Sequence, residues 1–487
     1  MPETTPNPRR WWALAVIALA QFMVIMDTSI IGVALPKMQA DLDLSQANLS
    51  WVFNAYVVAF GGLLLLGGKL SDLFGARRVF TTGWAILLGG SVLAALATTG
   101  SVELAGRAAQ GVGAAAIAPS ALTMLFMLFG SEPRELTKAL SLYGAAAPAG
   151  GTAGVFLGGV ITQYLSWPWI FWLYVPIALA ALIAIPALMP AGQGRRGKVD
   201  LTGAVTVTAG LALAVFAIVR APNRGWASTS TIVELAIAVA LLIGFVAIED
   251  NRRAPLVRLG IFRTQNLGAA NLAQLLLGGA WIPMWFFLNL YLQQVLGYHA
   301  FASGAALLPM TITIIVLMVA VAPRVIARFG FKPPIVAGLL ILAGGLLWLS
   351  FARPDGNFAI DVLGPSLVAA AGMAMAFIPS LGTAIASARP EEGGLAAGIV
   401  NTSYQVGSAL GLAAMTAVAA AYGAPKLGQP AALTHGFSAA FLGAAGIATA
   451  GALVALITLR QPAPANPAAD HDPAPSQPAS EPSPASR

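Results

Sequence analysis

Long apolar segments alternate with short polar connections along almost the whole chain. A helix needs about 20 apolar residues to cross a bilayer, and segments of this kind occur fourteen times. We number them spans 1–14. Their expected limits are 12–35, 51–70, 79–99, 103–128, 139–163, 169–190, 201–220, 231–248, 267–292, 303–323, 333–352, 360–386, 395–421 and 437–459. The pattern therefore predicts an all-α polytopic membrane protein.

Lysine and arginine concentrate in alternate connections. With the N-terminus inside, the inner segments hold twenty of the 26 Lys and Arg residues and the outer segments hold five, while Arg107 lies within span 4. Cytoplasmic connections of membrane proteins carry this excess. We therefore expect both termini in the cytoplasm. The high Ala, Gly and Pro content indicates a bacterial source, which places the protein in the cytoplasmic membrane.

Composition excludes several other classes of protein. Charged residues make up 9% of the 487 residues, against about 25% in soluble domains. With no cysteine and three histidines, we expect neither a disulfide framework nor a metal site. Gly111-Val-Gly113 resembles a dinucleotide loop but lies inside a span without a preceding strand. We expect no cofactor and no nucleic-acid partner, and a monomer in the lipid bilayer.

The two ends of the chain repeat each other at a nearly constant offset. The segment from Gly68 to Arg78 has an echo 255 residues later, Pro119-Ser120 recurs as Pro379-Ser380, and Gly150 and Gly154 recur as Gly407 and Gly411. Spans 1–6 therefore correspond to spans 9–14. Parallel repeats of this kind form transporters with a site between the two halves.

This repeat divides the chain into five parts. Residues 1–11 form a cytoplasmic N-terminus, 12–190 a six-helix half and 265–460 a second six-helix half. Between the halves, 191–264 is a linker that holds the two inserted helices, spans 7 and 8. The tail 461–487 is rich in Pro, Ala and Ser, a composition that predicts disorder.

Several motifs resemble those of one transporter family. They are Asp27-Thr-Ser-Ile-Ile-Gly-Val-Ala-Leu-Pro36, Gly68-Lys-Leu-Ser-Asp72-Leu-Phe-Gly75-Ala-Arg77-Arg78, Arg107-Ala-Ala-Gln110-Gly111-Val-Gly113, Tyr291-Leu-Gln-Gln-Val-Leu-Gly-Tyr298 through Leu308-Pro309, and Gly394 through Asn401-Thr-Ser-Tyr-Gln405-Val-Gly407. Over about 12–460 the chain resembles the major facilitator superfamily, specifically its fourteen-helix drug:proton antiporters. The resemblance implies the major facilitator fold and proton-driven export of hydrophobic or amphipathic drugs or antibiotics, by a secondary active transporter rather than an enzyme.

The resemblance is incomplete in and after span 5. The family's fifth-helix motif has a proline where this chain has Val155, its Trp-Arg-Trp pattern reads Trp167-Pro168-Trp169, and a usual asparagine is Tyr174. These departures weaken the expectation of antiport through this helix but leave the expected fold unchanged.

Asp27 and Arg107 are the candidates for proton coupling. Asp27 lies about 15 residues into span 1, which puts it roughly 22 Å from the inner end at 1.5 Å per residue. It is the only deep carboxylate that the span limits identify, and ionisable groups at this depth mark functional sites. Arg107 enters span 4 from the outer side, so the two can pair. One hypothesis is that Arg107 holds Asp27 ionised in one state and releases it to take a proton in another; the alternative is a static ion pair.

Two sets of residues are candidates for gating. Gly150, Gly154 and Gly158 of span 5, followed by Gly159, let another helix approach closely. This pattern indicates either ordinary close packing or a hinge-like helix at a sliding interface between the halves. The resemblance also implies a cytoplasmic latch after span 2 that favours the outward-facing state. Its residues are Gly68, Asp72, Gly75, Arg77 and Arg78.

Amide and aromatic side chains along one helical stripe of span 9 are the candidates for a water-facing substrate pocket. They share this expectation with polar residues of spans 2, 4 and 13. The candidates are Asn54, Gln110, Asn271, Gln274, Trp281, Trp285, Asn289, Asn401, Tyr404 and Gln405. This inventory fits a small amphipathic substrate better than a highly charged one.

Two other functions remain open on the sequence. A facilitator or uptake carrier for a small metabolite would keep the fold and lose the proton coupling, and the missing span-5 proline favours it. A membrane scaffold or receptor is disfavoured because no extramembrane domain is predicted. Asp27 and Arg107 together favour coupled export.

Overall fold

All fourteen expected spans are helical. A computed structural model describes residues 9–130, 132–190, 201–252, 260–261, 264, 266–388, 393–424 and 428–460, and in this part of the chain fourteen helices are long and apolar enough to cross a membrane. The predicted all-α fold is therefore confirmed. Residues 1–8, much of the linker on either side of spans 7 and 8, and the expected disordered tail lie outside the described residues.

The first eight spans are regular helices, with one break in span 6. Spans 1–5 are Arg10–Asp41, Gln46–Phe74, Ala76–Ala95, Gly100–Phe129 and Pro133–Tyr164. Span 6 consists of Pro168–Trp172 followed by Tyr174–Leu188, and spans 7 and 8 are Leu201–Arg224 and Thr229–Asn251.

The last six spans include three π-helical segments. Span 9 is Leu267–Leu290 followed by the π-helix Tyr291–Val295. Span 10 is Ala300–Val316, the π-helix Leu317–Val321 and Ala322–Phe329, and span 11 is Lys332–Leu349. Span 12 begins as the π-helix Phe358–Leu363 and continues as Gly364–Ser387; spans 13 and 14 are Gly393–Ala421 and Pro430–Thr458.

Several helices are longer than their apolar cores. Span 1 was expected to end at residue 35, before Pro36, but its helix continues through that proline to Asp41. Hydropathy detects only the part of a helix that lies in hydrocarbon, whereas backbone hydrogen bonding continues into the polar connection. The sequence-based limits were therefore too narrow here.

The two halves repeat the same helix pairs. Span 1 packs on span 5 as span 9 packs on span 13, and span 3 packs on span 4 as span 11 packs on span 12. The glycines predicted to correspond make the same kind of contact: Gly154 lies against Met26 and Ile30 of span 1, and Gly411 lies against Gly279 of span 9. The repeat is thus present in the packing as well as in the sequence.

The proline-serine pairs also have matching local structure. Ser120 in span 4 donates to the carbonyl of Ala116 at 2.5 Å, and Ser380 in span 12 donates to the carbonyl of Ala376 at 2.6 Å. Both serines thereby satisfy the hydroxyl group inside the helix, which is the usual solution in an apolar environment.

A glycine ends the helix at the same place in each half. Gly75 after span 2 has φ 87° and Gly330 after span 10 has φ 75°. Side chains with a Cβ rarely adopt such angles, so glycine is required for the tight turn that leads into the next span. The loop motif that recurs in the two halves therefore has the same backbone turn in both.

Contacts between the halves follow two seams. One seam pairs span 5 with span 10, and the other pairs span 2 with span 13. Span 7 packs against both span 2 and span 13, while span 8 packs on span 7. For example, Thr208 of span 7 lies against Gly62 of span 2, and the Trp51 and Phe216 rings are 6.4 Å apart. The inserted helices thus lie along one seam only.

The glycine stripe of span 5 packs within its own half. Gly150, Gly154 and Gly158 all lie against the backbone of span 1, whereas Gly159 faces Ala300 and neighbouring Phe301 of span 10. The expectation of a sliding inter-half interface therefore applies to Gly159, and the other three glycines join spans 1 and 5. Small residues permit this close approach. Van der Waals packing of this kind holds helices together in lipid, where hydrophobic attraction cannot.

We predict that Gly154→Ala destabilises the protein and that Gly151→Ala does not. A Cβ at 154 would lie 2.7 Å from the Met26 carbonyl oxygen, while the nearest atom to one at 151 is 3.7 Å away. Overpacking of this kind costs about 1–3 kcal/mol. Melting of both purified variants in detergent provides the measurement; equal melting temperatures would contradict the tight span 1–span 5 contact.

Candidate functional site

A buried ion pair joins spans 1 and 4 inside the first half. Asp27 is 3% exposed and Arg107 is fully buried. The Arg107 Nη1 atom lies 2.8 Å from Asp27 Oδ1 and 2.7 Å from Asp27 Oδ2. The structure thus brings together the two residues that the sequence nominated for proton coupling.

Neighbouring groups fix the arginine in this position. Its Nε atom donates to the Val52 carbonyl at 2.9 Å, and Nη1 also donates to Gln110 Oε1 at 2.7 Å. Gln110 in turn donates to the Ser91 hydroxyl at 2.9 Å. Gln110 was expected to line the substrate pocket, but it is fully buried between Arg107 and Ser91. Its place in the fold is that of a support for the arginine.

Aromatic rings enclose the same guanidinium. The Arg107 Cζ atom lies 4.8 Å from the Tyr56 ring centroid and 5.9 Å from that of Phe171. A desolvated cation gains energy from such ring faces. The hydroxyl of Tyr174, fully buried in span 6, faces Asp27. Tyr174 stands where the family resemblance leads one to expect asparagine, so this departure falls directly at the ion pair.

The Asp27 carboxylate can be neutralised either by Arg107 or by a proton. An ionised carboxylate and a guanidinium stabilise each other in a site without water, and protonation of Asp27 would release Arg107 from it. The Nη2 atom of Arg107 has no hydrogen-bond partner among the described residues. The guanidinium therefore retains a free donor for another acceptor.

Glu103 is a second buried carboxylate, and it was not among the residues predicted from the sequence. It is fully buried in the first turn of span 4, four residues before Arg107. Neither carboxylate oxygen has a hydrogen-bond partner among the described residues. Asp27 is therefore not the only buried carboxylate in the first half. The signal was available in the sequence as the four-residue spacing to Arg107, but Glu103 stands at the expected limit of span 4 and was not among the predicted site residues.

Asn271 and Gln274 of span 9 hold the second half together. Asn271 accepts a hydrogen bond from Ser403 of span 13 at 2.8 Å. Gln274 donates to the Phe377 carbonyl of span 12 at 3.0 Å, and its Oε1 atom has no partner in the described part of the chain. Each amide thus uses part of its hydrogen-bonding capacity inside its own half.

Three predicted pocket residues lie at contacts between the halves. Trp285 and Asn289 approach Gly32 of span 1, and Gln405 of span 13 packs on Gly61 of span 2. The other predicted pocket residues are placed differently. Trp281 is buried, Asn401 and Tyr404 are half-buried, and Asn54 is fully buried with neither amide atom hydrogen-bonded to any described residue.

The predicted latch lies at the inner end of span 2. Asp72 and Arg78 are exposed, and Arg77 donates to the Met189 carbonyl at the end of span 6 at 3.4 Å. A Cβ at Gly68 would lie 3.7 Å from the Pro119 side chain of span 4. The motif therefore contacts its own half in this conformation.

The two halves are joined directly at the ends that the sequence predicts to be outer. Gln293 donates to the Val33 carbonyl at 3.0 Å, and Gln294 donates to Gln39 Oε1 at 2.9 Å. The Phe301 ring of span 10 lies 6.0 Å from Phe156 of span 5. The phenylalanine contact closes the seam between spans 5 and 10 at this end, and the two glutamine bonds join spans 9 and 1.

Toward its other end, span 5 is uncovered at Gly144. At about 100° per residue, Gly144 lies between Gly158 and Gly159 around span 5. Those two contact spans 1 and 10, but Gly144 is exposed and has no atom within 4 Å of the place where a Cβ would be. Near this level span 1 stays attached, since Tyr143 donates to Gln21 at 2.9 Å. Span 5 thus stays attached to span 1 here, while its surface at Gly144 is uncovered.

We predict that Arg107→Ala strongly destabilises the protein and that adding Asp27→Asn restores much of the loss. Removing one partner of a buried ion pair costs about 3–5 kcal/mol, chiefly because the other charge is left unpaired. Thermal melting of the single variant and the double variant provides the comparison. A double variant no more stable than Arg107→Ala would show that the charge pairing is not what holds spans 1 and 4 together.

Comparisons with known proteins agree with this architecture. The family model described as Major Facilitator Superfamily matches residues 17–412. The chain is 38% identical over 437 residues to the cephamycin export protein CmcT of Amycolatopsis lactamdurans, covering 89% of each chain. It is 36% identical over 471 residues to the puromycin resistance protein pur8 of Streptomyces alboniger, covering 93% of this chain and 92% of that one.

Solved structures show the same fold at low sequence identity. A crystal structure of an auto-inhibited POT family peptide transporter matches with a TM-score of 0.68 at 16% identity, covering 94% of this chain and 99% of that one. The expected family and fold are both confirmed. With fourteen apolar helices among the described residues, this chain belongs to the Major Facilitator Superfamily and is a multi-pass membrane transporter, not an enzyme.

Proposed function

We propose that this protein exports hydrophobic or amphipathic drugs or antibiotics in exchange for protons. The observation that carries the proposal is the Asp27–Arg107 pair, fully enclosed at membrane depth inside one half of a two-half transporter. Alternating access would rock the halves about a site between them. Proton binding at Asp27 would supply the driving force.

The relatives support export as the direction of transport. Two of them are named for cephamycin export and puromycin resistance. A third, the tetracenomycin C resistance and export protein of Streptomyces glaucescens, is 33% identical over 418 residues. Their named compounds are antibiotics, which is the class of substrate we propose for this chain.

Energetics favour a functional pair over a merely structural one. A buried ion pair is weak evidence for stability, because desolvation offsets much of the charge attraction. Ionisable residues within membrane helices are costly and mark ion or substrate pathways. Asp27 and Arg107 are also enclosed by Tyr56 and Tyr174, which exclude water from the pair. The Asp27 carboxylate in this enclosed position loses its charge only when a proton reaches it.

The remaining parts of the proposal concern location and substrate path. We place the protein as a monomer in a bacterial cytoplasmic membrane with both termini in the cytoplasm. Residues 12–190 and 265–460 would move as two units. Amide groups with unused hydrogen-bonding capacity, on Asn54, Gln274 and Asn289, would line the substrate path together with the half-buried Asn401 and Tyr404.

A facilitator without proton coupling is the second candidate. Val155 stands in span 5 where the antiporter resemblance leads one to expect proline. Its carbonyl lies against Gly304 of span 10, so this departure is located at the seam between the halves. A facilitator would transport the same class of compound down its own gradient only.

We predict that Asp27→Asn abolishes transport driven by a pH gradient, because the amide cannot bind the proton that releases Arg107. The measurement is uptake of a fluorescent lipophilic cation by proteoliposomes with an imposed gradient. Asp43→Asn is the matched control, since Asp43 is exposed in the outer connection and its positive φ of 48° is accessible to asparagine. Transport indifferent to both the gradient and Asp27→Asn would favour the facilitator.

We predict that a cross-link between Gln39→Cys and Gln294→Cys arrests transport. The Gln39 and Gln294 side chains are hydrogen-bonded across the halves at 2.9 Å. The natural sequence contains no cysteine, so only the two introduced thiols can react. A short bifunctional thiol reagent that is cleaved by reduction should stop uptake, and reduction should restore it. Full transport in the cross-linked protein would contradict rocking of the halves at this seam.

A further inference from the structure

Glu103 has no role in the export mechanism described so far, although it is fully buried beside its central arginine. Its first-turn position in span 4 would be ordinary for an exposed glutamate, because acidic groups favour helix N-termini. However, a buried carboxylate without hydrogen bonds is too costly to keep ionised and unpaired. Neither oxygen of Glu103 is bonded to a described residue, so this environment favours the neutral, protonated form over the carboxylate.

The geometry of span 4 directs Arg107 toward Glu103. Residues four apart lie on the same helix face, and long helical side chains point back over the preceding turn. The Nε atom of Arg107 is held by the Val52 carbonyl of span 2. One terminal nitrogen of the guanidinium holds Asp27, while the other, Nη2, has no partner among the described residues.

We propose that Glu103 is the alternate partner of Arg107 and a second proton-carrying group. In the conformation seen here Asp27 is ionised and paired with Arg107, while Glu103 is neutral. In the alternate state the O–H bond of Glu103 breaks and its proton forms an O–H bond on Asp27. The resulting Glu103 carboxylate then accepts Arg107 Nη2. This inference rests on the proposed proton coupling through Asp27.

Charge balance makes the exchange suitable for a buried site. One carboxylate, one guanidinium and one carboxylic acid are present before and after the transfer, so the net charge of the three groups stays zero. Glu103 is three residues from Gly100, the outer start of span 4, so it can then be reprotonated from the outer side. Protons would thus reach Asp27 by way of Glu103.

The surroundings contain few competing groups. Arg107 on the same helix and Asp27 on span 1 are the charged groups that act on Glu103. Tyr56 of span 2 and Tyr174 of span 6 face the Asp27–Arg107 pair. Span 3 contributes the Ser91 hydroxyl, which is occupied by Gln110. Within the described residues, Arg107 is therefore the cation available to a Glu103 carboxylate.

Infrared difference spectroscopy of the purified full-length protein tests this exchange without any substrate. At neutral pH the wild type should show the carbonyl band of a protonated, buried carboxyl group, and Glu103→Gln should abolish it. Asp27→Asn should also abolish it, because Arg107 then has Glu103 as its carboxylate partner. Glu234→Gln is the matched control, as Glu234 pairs with Arg224 near the outer surface, and it should leave the band unchanged.

The same measurement remains decisive if Glu103→Gln does not fold. Isotope-labelled glutamate in the wild type should shift the band, whereas isotope-labelled aspartate should not. A band that persists in Glu103→Gln, that follows the aspartate label, or that is unaltered by Asp27→Asn would overturn the proposal.

Proteoliposome transport of tetraphenylphosphonium separates this inference from the proposed function. Glu103→Gln should lose uptake driven by a pH gradient but retain exchange of labelled for unlabelled tetraphenylphosphonium at equal pH. Gradient-driven uptake that needs Asp27 but is normal in Glu103→Gln would overturn the role of Glu103 alone. Uptake that ignores both the gradient and Asp27→Asn would instead overturn the proposed proton coupling.

Discussion

A charge inside the hydrocarbon of a membrane has to find its partner within the protein, and this constraint shapes the first half of the molecule. Arg107 is fully buried, and four helices contribute to its surroundings. Span 1 supplies the carboxylate of Asp27, span 2 a backbone carbonyl and the Tyr56 ring, span 4 the amide of Gln110, and span 6 the Phe171 ring. Because these groups converge on one cation, the relative positions of the four helices are defined by it.

Close backbone contact between helices is the second feature by which the bilayer environment shapes this fold. Spans 1 and 5 meet through glycines, and spans 9 and 13 meet through glycines at corresponding positions. Packing of this kind forms rigid helix pairs, since a glycine contact leaves no side chain to rearrange. By contrast, hydrogen bonds between long side chains, such as Gln294 to Gln39, join the halves at their outer ends. Such bonds can be broken and remade at low cost.

Much of this arrangement could be predicted from the sequence. The fourteen spans, the repeat of the halves and the pairing of Asp27 with Arg107 follow from apolar length, motif spacing and the direction in which each span enters the membrane. The sequence could not show which helix covers the glycines of span 5, because any neighbour would benefit from small residues; the structure places span 1 there. For a related reason the sequence could not show that Gln110 supports Arg107 or that Glu103 is buried. Residue type and depth do not reveal whether an amide faces a pocket or an arginine, nor whether a carboxylate near a helix end points outward or inward.

Span 7 breaks the symmetry that the two halves otherwise share. It packs on span 2 of one half and span 13 of the other, while the seam between spans 5 and 10 has no equivalent cover among the described helices. Because span 7 contacts both halves, it must shift against at least one of them whenever the halves move relative to each other. Relative movement of the halves would therefore break and remake either the contact of Thr208 with Gly62 or the contacts of span 7 with span 13. This rearrangement would occur on one side of the transporter only, since no described helix covers the other seam.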